Sequence, residues 1–198
     1  MSSRRAELLE LAAKMFAERG YGQTTVRDIA DAAGILSGSL YHHFDSKESM
    51  VDEILRTFLD ELFTRYREIV EAGLGPKQTL KALVVASFEA IDTRHAAVAI
   101  YQNESKHLMP LERFSYVDDR SVEFRKLWTV LLEEGMRAGV FRADLDVDVA
   151  YRFIRDTVWV AVRWYRPDGD LAADEVADQY LAILLDGIAT GRRKNSKT

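Results

Sequence analysis

From Met50 onward, Met50, Ile54, Phe58, Leu62, Tyr66 and Ile69 recur every three or four positions until Gly73 and the Gly75-Pro76 pair interrupt them. Apolar residues at that spacing share one face of an α-helix, so this stretch makes a long helix whose stripe must be covered by other parts of the chain. The same spacing governs almost everything else. Leu8, Leu11, Ala12, Met15 and Phe16 form an earlier stripe that Gly20 closes, and Leu80, Leu83, Val84, Ser87 and Ile91 form a later one behind Pro76, a residue suited to a first helical position. Further helices are expected over roughly 96–108, 114–138, 148–165 and 174–190, punctuated by Pro110, Gly139 and Pro167-Asp168-Gly169. No stretch alternates with period two between turn residues. The expected fold class is therefore all-α, with about nine helices.

At 198 residues the chain suits one large domain or two unequal lobes. With 47% hydrophobic and 30% charged residues it is globular in composition, and no apolar run approaches the ~18 residues of a membrane-spanning helix, so no membrane partner is expected. The absence of cysteine excludes disulfides, thiolate nucleophiles and cysteine zinc sites. It fits a reducing compartment. The opening MSSRRAELLELAAK places Glu7 and Glu10 after its arginines, unlike a signal or transit sequence, and a cytoplasmic location is expected. Net charge is −5, and the first 48 residues hold six Lys or Arg against seven Asp or Glu. Indiscriminate coating of nucleic acid is excluded; DNA recognition would have to rest on a few placed donors.

Those first residues carry the most specific pattern. Thr25-Val26-Arg27-Asp28 reads as a capping box that opens a short helix ending at Ala33-Gly34. Residues 37–43 make two turns at most, and Asp45-Ser46-Lys47-Glu48 offers a second capping box before the long helix. A helix, a glycine turn and a two-turn helix is the helix-turn-helix arrangement. Leu40 and Phe44, four apart, face inward, which turns Ser37, Ser39, Tyr41 and His42 toward a groove or phosphates, and Gly38 leaves room for close approach. A metal reading of the histidines fails on geometry. His42 and His43 point about 100° apart, His95 and His107 are isolated, and Glu104-x-x-His107 lacks the second copy of a di-iron bundle. HExxH, G-x-S-x-G, P-loop and Rossmann glycine patterns are all missing, so hydrolase, kinase and dehydrogenase readings have no motif.

TTVRDIADAAG, then GSLYHHF, then SKE, in that order near the amino terminus, resemble the TetR family of bacterial transcriptional repressors. The resemblance implies a DNA-binding head, residues 1–48, joined to a larger helical ligand-binding and dimerising body, residues 49–198. It implies a homodimer on palindromic double-stranded operator DNA, released by a small-molecule effector. Carried over position by position, Thr25 and Arg27 correspond to backbone contacts, Ser37, Gly38, Ser39, Tyr41 and His42 to the recognition face, and Lys47 to a phosphate clamp. Leu36 departs from the pattern, standing where many members have a small polar cap. GILSGSLYHHFDSKESMVDEIL together with RFIRDTVWVAVRWYR resembles the branch that represses cholesterol and steroid-ring catabolism. That branch implies a CoA thioester as effector and no resident cofactor.

In the body, residues 148–166 are apolar nearly all round, but Arg152, Arg155, Trp159, Arg163 and Arg166 fall within a helical sector of roughly 80°. Two readings stand side by side. The stripe is a solvated edge whose arginines pair with carboxylates such as Asp156, or it is a pocket wall in which Arg155 and Arg163 hold an anion and Trp159 stacks on a flat apolar body. An acyl-CoA has both parts, and Phe88, Tyr101, Phe124 and Trp128 are candidates for its apolar portion, each equally a core residue. The last helix has two apolar faces, Val176, Tyr180, Ile183, Leu184 and Gly187 on one and Leu181, Leu185 and Ile188 on the other. A single core uses one, and a homodimer would cover the other. A rival class is a helical acyl-CoA-binding enzyme with a merely structural head, against which stands the lack of any paired acid and base.

Overall fold

The computed structural model describes residues 4–108 and 110–186. Nine α-helices and no strand occur among them, as the periodicity implies: α1 (Arg4–Arg19), α2 (Val26–Ala32), α3 (Ser37–Tyr41), α4 (Lys47–Glu71), α5 (Pro76–Thr93), α6 (His95–Leu108), α7 (Ser115–Arg137), α8 (Val147–Trp159) and α9 (Ala173–Asp186). Short 3-10 turns lead into α7 and continue α8. The expected stripe of α4 is buried throughout, joined by Val51, Leu55 and Leu59. That wide face packs against α1 on one side and against α5 and α6 on the other, while α9 lies along α5. One continuous core results, running from Leu8, Phe16 and Leu40 through Phe58 and Tyr66 to Tyr151 and Leu181.

Polar groups inside this core are paired, as burial requires. Ser87 gives its proton to the Leu83 carbonyl at 2.7 Å, so the Tyr66 hydroxyl, 2.5 Å from Ser87 Oγ, is the donor in that pair. Burial pushes the Tyr66 pKa well up and keeps it a neutral donor. Thr24, fully buried, donates to the Gly20 carbonyl at 2.9 Å and so fixes the turn between α1 and α2.

Three expectations are corrected. The cap of α4 is Ser46 with Ser49 three residues on, each side chain bonded to the other's backbone amide, rather than a box ending at Glu48, whose carboxylate is drawn away to Tyr21. The helix expected over 148–165 stops at Trp159 and tightens into a 3-10 turn over Val160–Arg163. The 100° periodicity lapses there, so Arg163 and Arg166 do not continue the stripe of Arg152, Arg155 and Trp159. On α9 the core draws on both expected faces, burying Val176, Ala177 and Leu181 and half-burying Tyr180, Leu184 and Leu185, because α9 meets both α5 and, through Tyr180 against Thr157, α8; Ile183 stays exposed. Gly187, Ile188 and the basic tail lie outside the described residues.

The end of α7 shows how tightly the body is fitted. Val140 N donates to the Gly135 carbonyl at 2.8 Å and Gly139 N to the Met136 carbonyl at 3.1 Å, with Gly139 at φ 69°, a Schellman termination. The turn folds Phe141 back onto Gly135 so closely that a Cβ at that position would lie 2.0 Å from the ring. Alanine ordinarily stabilises a helix interior over glycine by up to ~1 kcal/mol. Here we expect Gly135→Ala to destabilise by about 1 to 3 kcal/mol through overpacking, read as a lowered melting temperature, with Gly135→Ala/Phe141→Ala losing less than the sum of the two single changes.

Candidate functional site

The head is assembled by a small set of polar ties around α3. Thr25 caps α2, its hydroxyl accepting from Asp28 N at 3.1 Å while Asp28 Oδ2 accepts from Thr25 N at 2.8 Å. Asp28 is held below its ordinary value chiefly by the Thr25 hydroxyl, which donates to Oδ2 at 2.6 Å, and then by the Thr25 amide. Arg5 grips Glu53 of α4 with two bonds of 2.5 and 2.6 Å and lies over the Phe44 ring. Leu40 and Phe44 are buried as the HTH reading requires. On the opposite side Tyr41, His42 and Gly38 are exposed, and Ser37 and Ser39 are half-buried beside them. Leu36 serves as the N-cap of α3 with no side-chain bond and stands 80% exposed at the edge of the same face.

Tyr21 joins the head to the body. Its carbonyl accepts from Lys47 Nζ at 2.8 Å and its ring lies beneath that ammonium. Its hydroxyl donates to Glu48 at 2.8 Å, and its amide donates to Glu104 of α6 at 3.2 Å. The Glu48 carboxyl is lowered chiefly by the Tyr21 hydrogen bond, and burial pushes the Tyr21 hydroxyl strongly up.

Inside the body, Phe58, Tyr66, Tyr101, Phe124, Trp128, Tyr151 and Trp159, with Leu59, Leu62 and Ser121, enclose a cavity of about 60 Å³. Phe58 meets Tyr101 and Trp159 edge-on at 6.2 and 6.3 Å. Arg155 lies over the Tyr151 ring, on the outer side of this wall, and donates to Asp156 at 2.6 Å. Among the described residues no group of three His, Asp or Glu is disposed to hold a metal ion, and no helix is long and apolar enough to cross a membrane.

Residues 8–54 match the model of bacterial regulatory proteins of the tetR family, and residues 73–188 match the tetracyclin repressor-like C-terminal domain. The chain belongs to the TetR family. It is 66% identical over 189 residues to the HTH-type transcriptional repressor KstR2 of Rhodococcus jostii strain RHA1, covering 96% of this chain and 93% of the relative. The solved structure of the ketosteroid transcriptional regulator KstR2 of Mycobacterium tuberculosis superposes with a TM-score of 0.92 at 62% identity, covering 96% of this chain and 97% of that one. More distant is AibR in complex with isovaleryl coenzyme A and operator DNA, with a TM-score of 0.79 at 25% identity over 92% of this chain and 98% of that one. This TetR-family chain is accordingly a DNA-binding transcriptional repressor and not an enzyme.

Within this repressor the structure gathers some of the sequence candidates and separates others. Trp159, Tyr101, Phe124 and Trp128 meet around one cavity. Phe88 does not: it is buried on the other side of α5 against Tyr180. Arg163 is exposed beyond the end of α8, away from the cavity, and Arg155 carries an ion pair with Asp156 as the solvated-edge reading had it. Arg27 is exposed and only loosely paired with Asp31 at 3.7 Å. Phe58 and Tyr66 are cavity residues that the α4 stripe identified only as core, because periodicity gives burial and not what lies beyond the ring, and Tyr151 is a cavity residue that no stripe singled out. The Tyr21 junction left no sequence signal, since its partners are up to 83 positions away.

The junction has a titration consequence. A carboxyl whose pKa is lower in the folded chain contributes stability above its unfolded pKa and loses it as pH falls through the folded value. Tyr21→Phe removes the bond that lowers Glu48 while leaving the backbone carbonyl for Lys47. We expect it to cost about 1 kcal/mol at neutral pH, the value of a charged hydrogen bond discounted for partial exposure, and the gap to the parent to narrow below about pH 4. Denaturant melts at several pH values measure this.

Proposed function

We propose that this repressor acts in the cytoplasm as a homodimer on a palindromic operator of steroid-catabolism genes, and that a CoA thioester with a ring-bearing acyl body releases it. The head, 1–48, contacts DNA and the body, 49–198, takes the effector and pairs with the second subunit. The observation that carries this reading is the aromatic cavity walled by Trp159 with Arg155 on the outer side of the same wall. An aromatic lining suits a flat apolar body, and a guanidinium suits the anionic end of a CoA ester. The relatives' names, KstR2 and ketosteroid regulator, and the isovaleryl coenzyme A bound by AibR, lend support.

Arg27, Ser37, Ser39, Tyr41 and His42 present the donors of the DNA face, Gly38 leaves room for close approach, and Thr25 holds α2 in place. Leu36 adds an apolar group at the edge of that face, suited to a thymine methyl. Lys47 keeps the Tyr21 carbonyl on one of its three N–H donors and offers another to a phosphate. The second subunit covers Val149, Phe153, Val160 and Trp164 together with Ile183, all at least 40% exposed. Arg163 and Phe88 have no part in the effector site proposed here, since neither borders the cavity.

A space of about 60 Å³ is far below the roughly 300–1,000 Å³ of pockets that take drug-sized ligands. The thioester therefore binds a widened body, and unequal affinity for two conformations is what a ligand needs to shift an equilibrium. Phe58 also borders a cleft of about 580 Å³ between α1 and the corner of α5 and α6, so moving its ring joins the two spaces. Footprinting of the dimer is expected to give symmetric half-sites, and steroid-ring CoA thioesters to dissociate the complex. Arg155→Ala, losing a charged hydrogen bond that already competes with Asp156, is expected to weaken thioester binding by about 1 to 1.5 kcal/mol with operator affinity unchanged. A complex that survives saturating thioester removes the effector; a monomer without sequence preference removes the operator.

A further inference from the structure

The hydroxyls around the cavity differ in how firmly they are committed. Tyr66 is fully buried and its proton is spent on Ser87 at 2.5 Å, a close pair that leaves nothing for a ligand. Tyr101 is different. Ser121 gives its own proton to the Val117 carbonyl at 3.0 Å, so the Tyr101 hydroxyl must be the donor in its contact with Ser121 Oγ. That contact is 3.2 Å long, against a usual O–H···O distance of ~2.7–2.8 Å. Tyr101 is also only half-buried, and its ring packs edge-on against Phe58, the residue that must move for the cavity to widen. Tyr151, by contrast, has its ring beneath the Arg155 guanidinium, 5.5 Å from the ring centroid.

We infer that the Tyr101 hydroxyl is a specificity-determining donor that reads a carbonyl oxygen on the ring body of the effector. The inference rests on the thioester reading above and adds to it the chemistry of the buried end. A ketone oxygen is an acceptor only, which suits a site whose loosely held group is a donor. It replaces a long bond to Ser121 with one of ordinary length, and Ser121 keeps its bond to Val117. A methylene in the same place leaves Tyr101 with its weak resting partner.

The test compares a steroid-ring CoA thioester bearing a ring ketone with its analogue in which CH2 replaces the carbonyl, by calorimetry on the full-length repressor. The parent protein is expected to prefer the ketone by roughly five- to tenfold, the worth of one neutral hydrogen bond. Tyr101→Phe is expected to abolish that preference while holding the CH2 analogue within about twofold of the parent. Tyr151→Phe and Trp159→Phe keep the preference even if they weaken both ligands. Ser121→Ala, by removing the resting acceptor, raises the preference, and it guards against a Tyr101→Phe protein that folds poorly. Equal binding of ketone and CH2 by the parent overturns the inference, as does a preference that persists in Tyr101→Phe or vanishes in Tyr151→Phe or Trp159→Phe. Failure of both thioesters to bind the parent overturns the effector reading itself, and this inference with it.

Discussion

Burial of one wide face of α4 is the constraint on which the molecule depends. Its first turns pack under the helix-turn-helix through the Arg5–Glu53 grip, and its later turns supply Phe58, Leu62 and Tyr66 to the wall of the body cavity. A helix of 25 residues is about 37 Å long, and no glycine or proline interrupts it between Lys47 and Glu71. Head and body therefore share a structural member instead of a linker. A change in how Phe58 packs acts on the same rigid element that carries Lys47 and Glu48.

The acidic balance of the head gives the Tyr21 junction its meaning. With no broad positive field to draw DNA in, affinity must come from donors held in register. Tyr21 commits its carbonyl, ring, hydroxyl and amide to Lys47, Glu48 and Glu104, and so fixes the start of α4 relative to α1 and α6 with one side chain and its backbone. The same residue ties the head to α6, where Glu104 lies one turn beyond Tyr101, and Tyr101 borders the cavity.

The fold class and most helix positions were legible in the sequence because apolar spacing and capping signals are local. Thr25 and Asp28 made the expected box, and Pro76 opened α5. The family, too, was carried by short contiguous motifs in the head. Reading failed where distant contacts decide. Ser46 took the cap of α4 with Ser49 because Glu48 had a stronger partner in Tyr21, and the arginine stripe ended where α8 tightened after Trp159. Tyr101, Phe124 and Trp128 were named as candidates from residue type alone and Trp159 from its place among the arginines; that they surround one space depends on the crossing of α4, α6, α7 and α8, which no window of sequence contains. Phe88 had the same type and the same periodicity, and the turn of α5 sent it to the other side.

The smallness of the aromatic cavity has a consequence for signalling. A molecule that enters must first part Phe58 from Tyr101 and Trp159, and only apolar area of comparable extent can offset the contacts given up. Under the proposed effector, free coenzyme A and short-chain acyl esters carry too little apolar area to meet that requirement, and the tightly shut core is then a threshold that common thioesters do not cross.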